Sequence, residues 1–248
     1  MGKSKLWFSI FDFSFNYKGD EPGFIDENYR WMNAFSLQLA DIQAELYAYL
    51  RKHPPEVYFN RSMVNEENCW KTISLKWWGI EFRKRQLEFP VTQKILSEFP
   101  ELISLSFNQL EPMGRIKPHC GDTNAIYRCH FGIEIPSQLP ETGFRVKEEW
   151  RSWHEGKWLL FMDAYEHEAI NLSGKRRLII VVDFLRPEFQ SRKHLVISTV
   201  LSSLFLQKRA EKWPILKKTP SWFIKLSAFC LRPFAFAAVK WVNLFRYY

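Results

Sequence analysis

Three histidines and two arginines in the middle of the chain are the residues most able to bind a metal and an anion. His119, Arg128 and His130 lie in the stretch KPHCGDTNAIYRCH, and His167 and Arg177 follow further along. Imidazole nitrogens are common metal ligands, and guanidinium groups bind carboxylates through paired N–H donors. These five side chains either converge on one site or are separate polar residues of a sheet.

Spacing groups these residues into two sets. Arg128 and His130 are two residues apart in a predicted strand, so their side chains share one face and favour a bound anion, while His119 lies in the turn that we expect before it. His167 falls just beyond another predicted strand, and we predict that Arg177 lies across a β-hairpin from it. Such a pair suits a cofactor that chelates a metal through one end and presents a carboxylate at the other.

Short apolar runs separated by turn residues must position these side chains. From residue 102 onward they predict five strands of an antiparallel sandwich or barrel: LISLSFNQL, IYRCHFGIEI, GFRVKE, KWLLFMD and RRLIIVVDFL. Leu178–Val182 is apolar on both faces and should be central in its sheet. Upstream, the spacing predicts a helix over 27–53, one or two strands over 69–82 and a short helix over Val91–Phe99.

The composition predicts a folded chain with an anionic partner. Hydrophobic residues make up 46% of the chain, and the net charge of +8 suits nucleic acid, a membrane surface or an anionic small molecule. No nucleic-acid-binding motif accompanies the basic clusters, so we predict no nucleic-acid partner. The four cysteines form no CxxC pair, and no secretory cleavage pattern opens the chain, so we expect a cytoplasmic location.

The end of the chain predicts a helical extension, residues 193–248, that follows a catalytic-size domain, residues 1–192. Its last part, residues 221–248, has no acidic residue and four basic ones. In a helix these four side chains would lie within a sector of about 120°, with Phe, Leu and Trp side chains of the same stretch across the helix. These four are Lys225, Arg232, Lys240 and Arg246. This pattern is typical of peripheral contact with the inner face of a membrane, and equally of a helix packed on the sheet or in a dimer interface.

Three stretches in register make the chain similar to a known family. FNQLEPMGRIKPHCGDTNAIYRCHFGIEIP, WHEGKWLLFMDAYEHE and RRLIIVVDFLRPE, between about Leu102 and Glu188, resemble the aspartyl/asparaginyl β-hydroxylase family of iron(II)- and 2-oxoglutarate-dependent oxygenases. The resemblance implies a mainly β fold with flanking helices. Its core, over about residues 69–188, would be a double-stranded β-helix, which is a jelly-roll or cupin-like fold, with helical N-terminal support and a helical C-terminal extension.

The resemblance also implies a role for each of the five residues above. His119 and His167 would hold the iron. Arg177 would bind the distal carboxylate of 2-oxoglutarate, while Arg128 and His130 would bind its other end near the metal.

The resemblance extends to four further positions. Asn108 stands where a serine can assist the distal carboxylate. The carboxylate that usually follows the first histidine by two residues is replaced by Gly121, as in the PHxGxTN pattern of the animal enzymes, whereas bacterial lipid A acyl-chain hydroxylases of the same family have His-x-Asp. Asp122 and Asp163 either orient a ligand or a metal-bound water, or are ordinary turn aspartates.

The chemistry implied is hydroxylation of an unactivated C–H bond with O2 and 2-oxoglutarate as co-substrates. The PHxGxTN pattern favours the β-carbon of Asp or Asn in a peptide or small molecule. An alternative is a membrane-associated hydroxylase of lipid acyl chains, of the lipid A or ornithine-lipid type. A third is a non-catalytic barrel that binds an anion or a metal and does not turn over 2-oxoglutarate.

Overall fold

Eleven strands and six α-helices form the part of the chain that the computed structural model describes, which is residues 5–9, 17–60, 63–213 and 218–245. The strands are β1 (Glu56–Val57), β2 (Trp70–Trp77), β3 (Ile80–Glu81), β4 (Leu102–Leu110), β5 (Gly114–His119), β6 (Ile126–Glu134), β7 (Thr142–Val146), β8 (Glu149–Arg151), β9 (Trp158–Phe161), β10 (His167–Asn171) and β11 (Arg177–Leu185). The α-helices are α1 (Arg30–Leu37), α2 (Leu39–Lys52), α3 (Arg83–Gln86), α4 (Pro90–Glu98), α5 (Lys193–Lys212) and α6 (Ser221–Phe245).

From β4 onward the chain alternates between two antiparallel sheets, except that β7 and β8 follow each other in the same sheet. The larger sheet has the order β1-β2-β4-β11-β6-β9, with β3 paired to β2, and the smaller sheet has the order β5-β10-β7-β8. Successive strands therefore wind around a common core, which is the double-stranded β-helix expected from the sequence. Strand β11 lies between β4 and β6, so the prediction that Leu178–Val182 is central is confirmed.

The connection from β10 to β11 differs from its prediction. Strand β10 pairs with β5 and β7, whereas β11 pairs with β4 and β6, so His167 and Arg177 lie on different sheets and are not joined by a β-hairpin. His119 is also the last residue of β5 rather than part of a turn. Strands β5 and β10 went unpredicted because neither contains a continuous apolar run: their sequences are GRIKPH and HEAIN.

The predicted helix over 27–53 is two helices that support the larger sheet. The backbone leaves the helical conformation at Gln38, which caps α1 and precedes α2. Each helix buries its own apolar face against the strands: the residues at most 1% exposed are Trp31, Phe35, Ile42 and Leu46. The predicted short helix near Val91 is present as α4.

The C-terminal helices pack on the end of the larger sheet. Val196, Ile197 and Val200 of α5 are buried in an apolar cluster with Trp78 and Leu185. Asn243 of α6 accepts a hydrogen bond from the backbone N–H of Glu81 at 3.0 Å and donates one to the carbonyl of Gly79 at 2.8 Å. One face of each helix is therefore fixed to the core.

Candidate active site

A cavity of about 420 Å³ lies between the two sheets and contains every residue that the sequence singled out for chemistry. The smaller sheet contributes His119 and His167. The larger sheet contributes alternate residues of its strands, because side chains two apart share one face. On β11 these are Arg177, Ile179, Val181 and Asp183.

His119 and His167 form a pair ready to bind a metal. They are register partners across β5 and β10, and their ring centroids are 4.2 Å apart. Each Nδ1 lies 2.8 Å from a backbone carbonyl, that of Lys117 or Tyr165, so the tautomer with hydrogen on Nδ1 leaves the Nε2 lone pair free. Burial lowers the pKa of each histidine to about 3, and the neighbouring His167 lowers the pKa of His119 further. Both rings are therefore neutral near pH 7.

Asp163 takes up the space in which a carboxylate two residues after His119 would lie. A Cβ on Gly121 would come within 1.8 Å of Asp163 Oδ2 and 2.7 Å of the Asp163 backbone oxygen. The Gly121 N–H donates to that backbone oxygen at 2.8 Å, which holds the two segments together. Any side chain at Gly121 would therefore displace Asp163, whose Oδ1 lies 3.7 Å from His167 Nε2.

Arg128 joins Asp163 to a second aspartate that sequence reasoning missed. Its Nε and Nη2 donate to the two carboxylate oxygens of Asp183 at 2.6 and 3.0 Å, and its Nη1 lies 2.6 Å from Asp163 Oδ1. Burial opposes the charge, but the two aspartates more than offset it and hold the pKa of Arg128 above its usual value. Three of its five N–H groups are thus engaged and two remain for another ligand.

Arg177 is a buried cation with no anion beside it in the described part of the chain. Its side chain lies 4.6 Å over the ring of Trp153, the residue is only 1% exposed, and its Nε and Nη1 have no hydrogen-bond partner in the described residues. Burial lowers its pKa to about 9. Because a buried charge is costly without a partner, this end of the cavity fits a carboxylate.

His130 lies close to Arg177 and has a defined tautomer. Trp153 Nε1 donates to His130 Nδ1 at 3.3 Å, so Nε2 carries the hydrogen and can donate to a ligand. Burial, together with the charges of Arg177 and Arg128, keeps the pKa of His130 well below its usual value. His130 is therefore a neutral donor beside two cations.

The remaining predicted residues also face the cavity. Asn108 accepts a hydrogen bond from Trp70 Nε1 at 2.9 Å and donates one to Ser106 Oγ at 2.8 Å, so its amide is held by protein groups. Asp122 lies in the cavity wall, where burial and the charge of Asp163 raise its pKa to about 7. The structure thus brings all eight predicted site residues to one cavity.

Sequence reasoning missed other residues of this cavity, although two of them lie within the recognisable stretches. Asp183 could have been found from the alternation on β11, because it is six residues after Arg177 and so shares its face. Trp153 is the first residue of the stretch WHEGKWLLFMDAYEHE, but sequence reasoning gave it no role. Tyr58, whose ring stacks at 3.6 Å on Trp70, lies outside the recognisable stretches.

The donor set fits a metal that keeps most of its coordination positions for other ligands. The described residues contain no group of three or more His, Cys, Asp and Glu side chains placed to bind one ion. Two histidine nitrogens are available, and both oxygens of the buried Asp163 lack a hydrogen bond apart from the ion pair with Arg128. This arrangement is compatible with a non-haem iron whose remaining ligands come from co-substrate and water.

Comparison with known proteins shows the family to which the chain belongs. Residues 37–187 match the family model described as aspartyl/asparaginyl beta-hydroxylase. An ornithine lipid ester-linked acyl 2-hydroxylase from Rhizobium tropici is 27% identical over 186 residues, which is 73% of this chain and 66% of that protein. The human aspartyl/asparaginyl beta-hydroxylase is 31% identical over 139 residues, which is 53% of this chain and 18% of that protein.

The chain therefore spans less than two thirds of the length of either relative. Among solved structures, a Pseudomonas putida prolyl-4-hydroxylase aligns over 66% of this chain and 92% of its own, with 14% identity and a TM-score of 0.42. Since the family match spans more than half of the sequence, this chain belongs to the aspartyl/asparaginyl β-hydroxylase family.

Proposed function

We propose that the protein is an iron(II)- and 2-oxoglutarate-dependent hydroxylase. The observation that carries this proposal is the unpaired, buried guanidinium of Arg177 in the same cavity as two neutral histidines with free Nε2 atoms. A dicarboxylic 2-oxo acid suits both ends, because one end can chelate a metal held by the histidines while the far carboxylate neutralises Arg177.

Each residue has a part in this proposal that its surroundings support. His119 and His167 would hold the iron, with Nδ1 of each fixed by a backbone carbonyl. Arg177 would bind the distal carboxylate, and Asn108, on the same face of the larger sheet, would assist it. When bound, iron, 2-oxoglutarate and O2 together supply the oxidising power that converts C–H to C–OH, with succinate and CO2 as the other products.

The groups beside the metal would set the charge of the site. His130 and the two unengaged N–H groups of Arg128 would bind the metal-side end of 2-oxoglutarate. Asp163 is held by Arg128 and lies on the metal side of the cavity, where it would accept a hydrogen bond from a metal-bound water. Asp183 would keep the guanidinium in place when the co-substrate enters.

The first test is whether 2-oxoglutarate binding depends on the metal. Calorimetric titration under anaerobic conditions should show one 2-oxoglutarate per chain in the presence of Fe(II) and much weaker binding without it. His167→Ala should lose the Fe(II)-dependent part, because one metal ligand is removed. His154→Ala is the matched control, since His154 is exposed and outside the cavity. Equal binding by both variants would refute the metal assignment.

Two substrate classes remain for the C–H bond that is hydroxylated. The glycine at position 121 and the similarity to the human enzyme support the β-carbon of Asp or Asn. The similarity to the Rhizobium enzyme supports a lipid acyl chain, and so does the apolar and aromatic part of the cavity wall, formed by Phe59, Trp77, Phe82 and Leu204. The wall favours the acyl chain, and peripheral membrane contact through residues 221–248 belongs to this alternative.

Succinate formation separates the two classes. Aspartate- or asparagine-containing peptides and vesicles of bacterial lipids are supplied in turn, and the class that raises succinate formation above the substrate-free rate is the substrate class. Binding of 2-oxoglutarate without succinate formation on any substrate would instead support the non-catalytic barrel.

A further inference from the structure

The outer face of α6 is apolar and exposed to solvent. Seven side chains along this helix are each at least half exposed: Trp222, Leu226, Phe229, Phe234, Trp241, Leu244 and Phe245. At about 100° per residue they occupy the side opposite Ala228 and Val239, which pack inward. A strip of this size and aromatic content is larger than a soluble surface ordinarily exposes, so it marks an interaction surface.

The net positive charge of the chain is confined to the same region. Residues 193–248 contain ten Lys and Arg and one acidic residue, whereas residues 1–192 contain 25 basic and 26 acidic residues. The whole excess of +8 therefore comes from the C-terminal extension. Lys225 and Lys240 are exposed on α6, at about 60° from each other around its axis and at one edge of the apolar strip.

Contacts with the core decide how α6 could meet a membrane. By length and composition alone α6 could cross one. However, Asn243 is hydrogen-bonded to the backbone of Gly79 and Glu81, and Phe236 contacts the His194 ring of α5 at 5.0 Å. A helix fixed along its length to a folded core lies on a bilayer rather than across it.

We infer that the exposed face of α6, with Phe205 of α5 and Trp213 directly after α5, docks the enzyme on an anionic lipid bilayer. The aromatic and aliphatic side chains would enter the interface, and the lysines at its edge would contact anionic headgroups. Leu204 and Gln207 of α5 line the cavity, so the docking surface and the cavity wall share this helix. Docking would thus bring the cavity to the source of an acyl-chain substrate, a consequence that rests on the proposed function.

Vesicle binding of the full chain tests the docking surface without turnover. Metal-free protein is sedimented with phosphatidylcholine vesicles, with or without phosphatidylglycerol. We expect strong binding to the anionic vesicles, weaker binding in high salt, and a partition coefficient roughly 100-fold lower in a Trp222→Ser, Phe229→Ser, Leu244→Ser variant. Because no iron or 2-oxoglutarate is present, failure of docking is distinguishable from failure of the hydroxylase proposal.

A matched control removes equally exposed apolar side chains elsewhere. Leu37, Leu87 and Met113 are 83%, 82% and 55% exposed and lie outside the C-terminal helices, so their replacement by serine should leave binding within about twofold of wild type. Lys225→Glu with Lys240→Glu should abolish the preference for anionic vesicles. Wild-type binding by the α6 variant, or no vesicle binding by wild type, would overturn the inference. If wild type binds no vesicles but forms a dimer that the α6 variant converts to a monomer, the exposed face of α6 is a contact between two copies of the chain.

Discussion

Replacing Arg177 with methionine tests the most unusual feature of the cavity. In the absence of an anion, the lowering of the Arg177 pKa to about 9 corresponds to an unfavourable free energy on the order of 5 kcal/mol for the buried cation. Methionine has similar length and no charge, but it loses the stacking of the guanidinium on Trp153, worth about 2 kcal/mol. We therefore expect the variant without ligand to be about 1–3 kcal/mol more stable than wild type.

The response to ligand should reverse this order. For wild type with Fe(II), 2-oxoglutarate at 100 times its Kd should raise the free energy of unfolding by about 2.7 kcal/mol. Arg177→Met should show almost none of this gain, because the distal carboxylate has lost its cation. Anaerobic urea unfolding with and without 2-oxoglutarate measures both quantities.

Arg176→Met is the matched control for this experiment. Arg176 is the neighbouring residue, its side chain is 37% exposed, and it pairs with Glu134. It should change stability by less than about 1 kcal/mol and keep the full response to 2-oxoglutarate. A wild-type response in Arg177→Met, or a loss of several kcal/mol of stability in its ligand-free form, would refute the reasoning, since the second result would mean that Arg177 is already neutralised.

Three further predictions concern the metal side of the cavity. Gly121→Ala should destabilise the protein by about 1–3 kcal/mol and weaken Fe(II) binding, because the added Cβ meets Asp163. Gly174→Ala is the control, because no atom lies within 4 Å of its added Cβ, and it should change neither stability nor Fe(II) affinity. Thermal unfolding and metal titration measure the two quantities. Asp122, whose folded pKa is raised to about 7, binds more protons folded than unfolded between about pH 4 and 7, so its own contribution to the stability of metal-free protein falls as pH rises through this window. The buried, neutral His119, His130 and His167 contribute in the opposite direction, so the quantity to measure is the difference between wild type and Asp122→Asn. In urea unfolding, wild type should lose stability relative to Asp122→Asn between about pH 5 and pH 8, and an unchanged difference would contradict the burial of this carboxyl.

Much of the fold is encoded in local patterns that a sequence reveals. Strands β4, β6 and β11 are nine residues long and rich in apolar residues, so the sequence predicts them as strands, and the continuous apolar run of β11 places it centrally. Strands β5 and β10 have mixed composition, because β5 alternates exposed Arg115 and Lys117 with buried residues and β10 has His167 and Glu168 at the cavity. The assignment of β10 and β11 to different sheets depends on how the whole chain winds, and spacing along the sequence does not specify it.

The candidate site, like the fold, has residues that the sequence reveals and contacts that it does not. The residues that would bind metal and co-substrate fall in recognisable motifs, so resemblance identified His119 and His167. The reason for Gly121 was hidden, because it depends on a contact with Asp163, which is distant along the chain. The engagement of Arg128 by Asp183 was also hidden, since the two residues meet only where β6 and β11 pair.

Succinate formation from 2-oxoglutarate tests the central claim most directly. The protein is loaded with Fe(II) and 2-oxoglutarate without oxygen, then mixed with O2, and succinate is counted per chain. We expect succinate from wild type and from His154→Ala, with a loss of at least about 100-fold in His167→Ala, because the metal pair is broken. Succinate formation that His167→Ala leaves unchanged would contradict the assignment of this cavity as the active site.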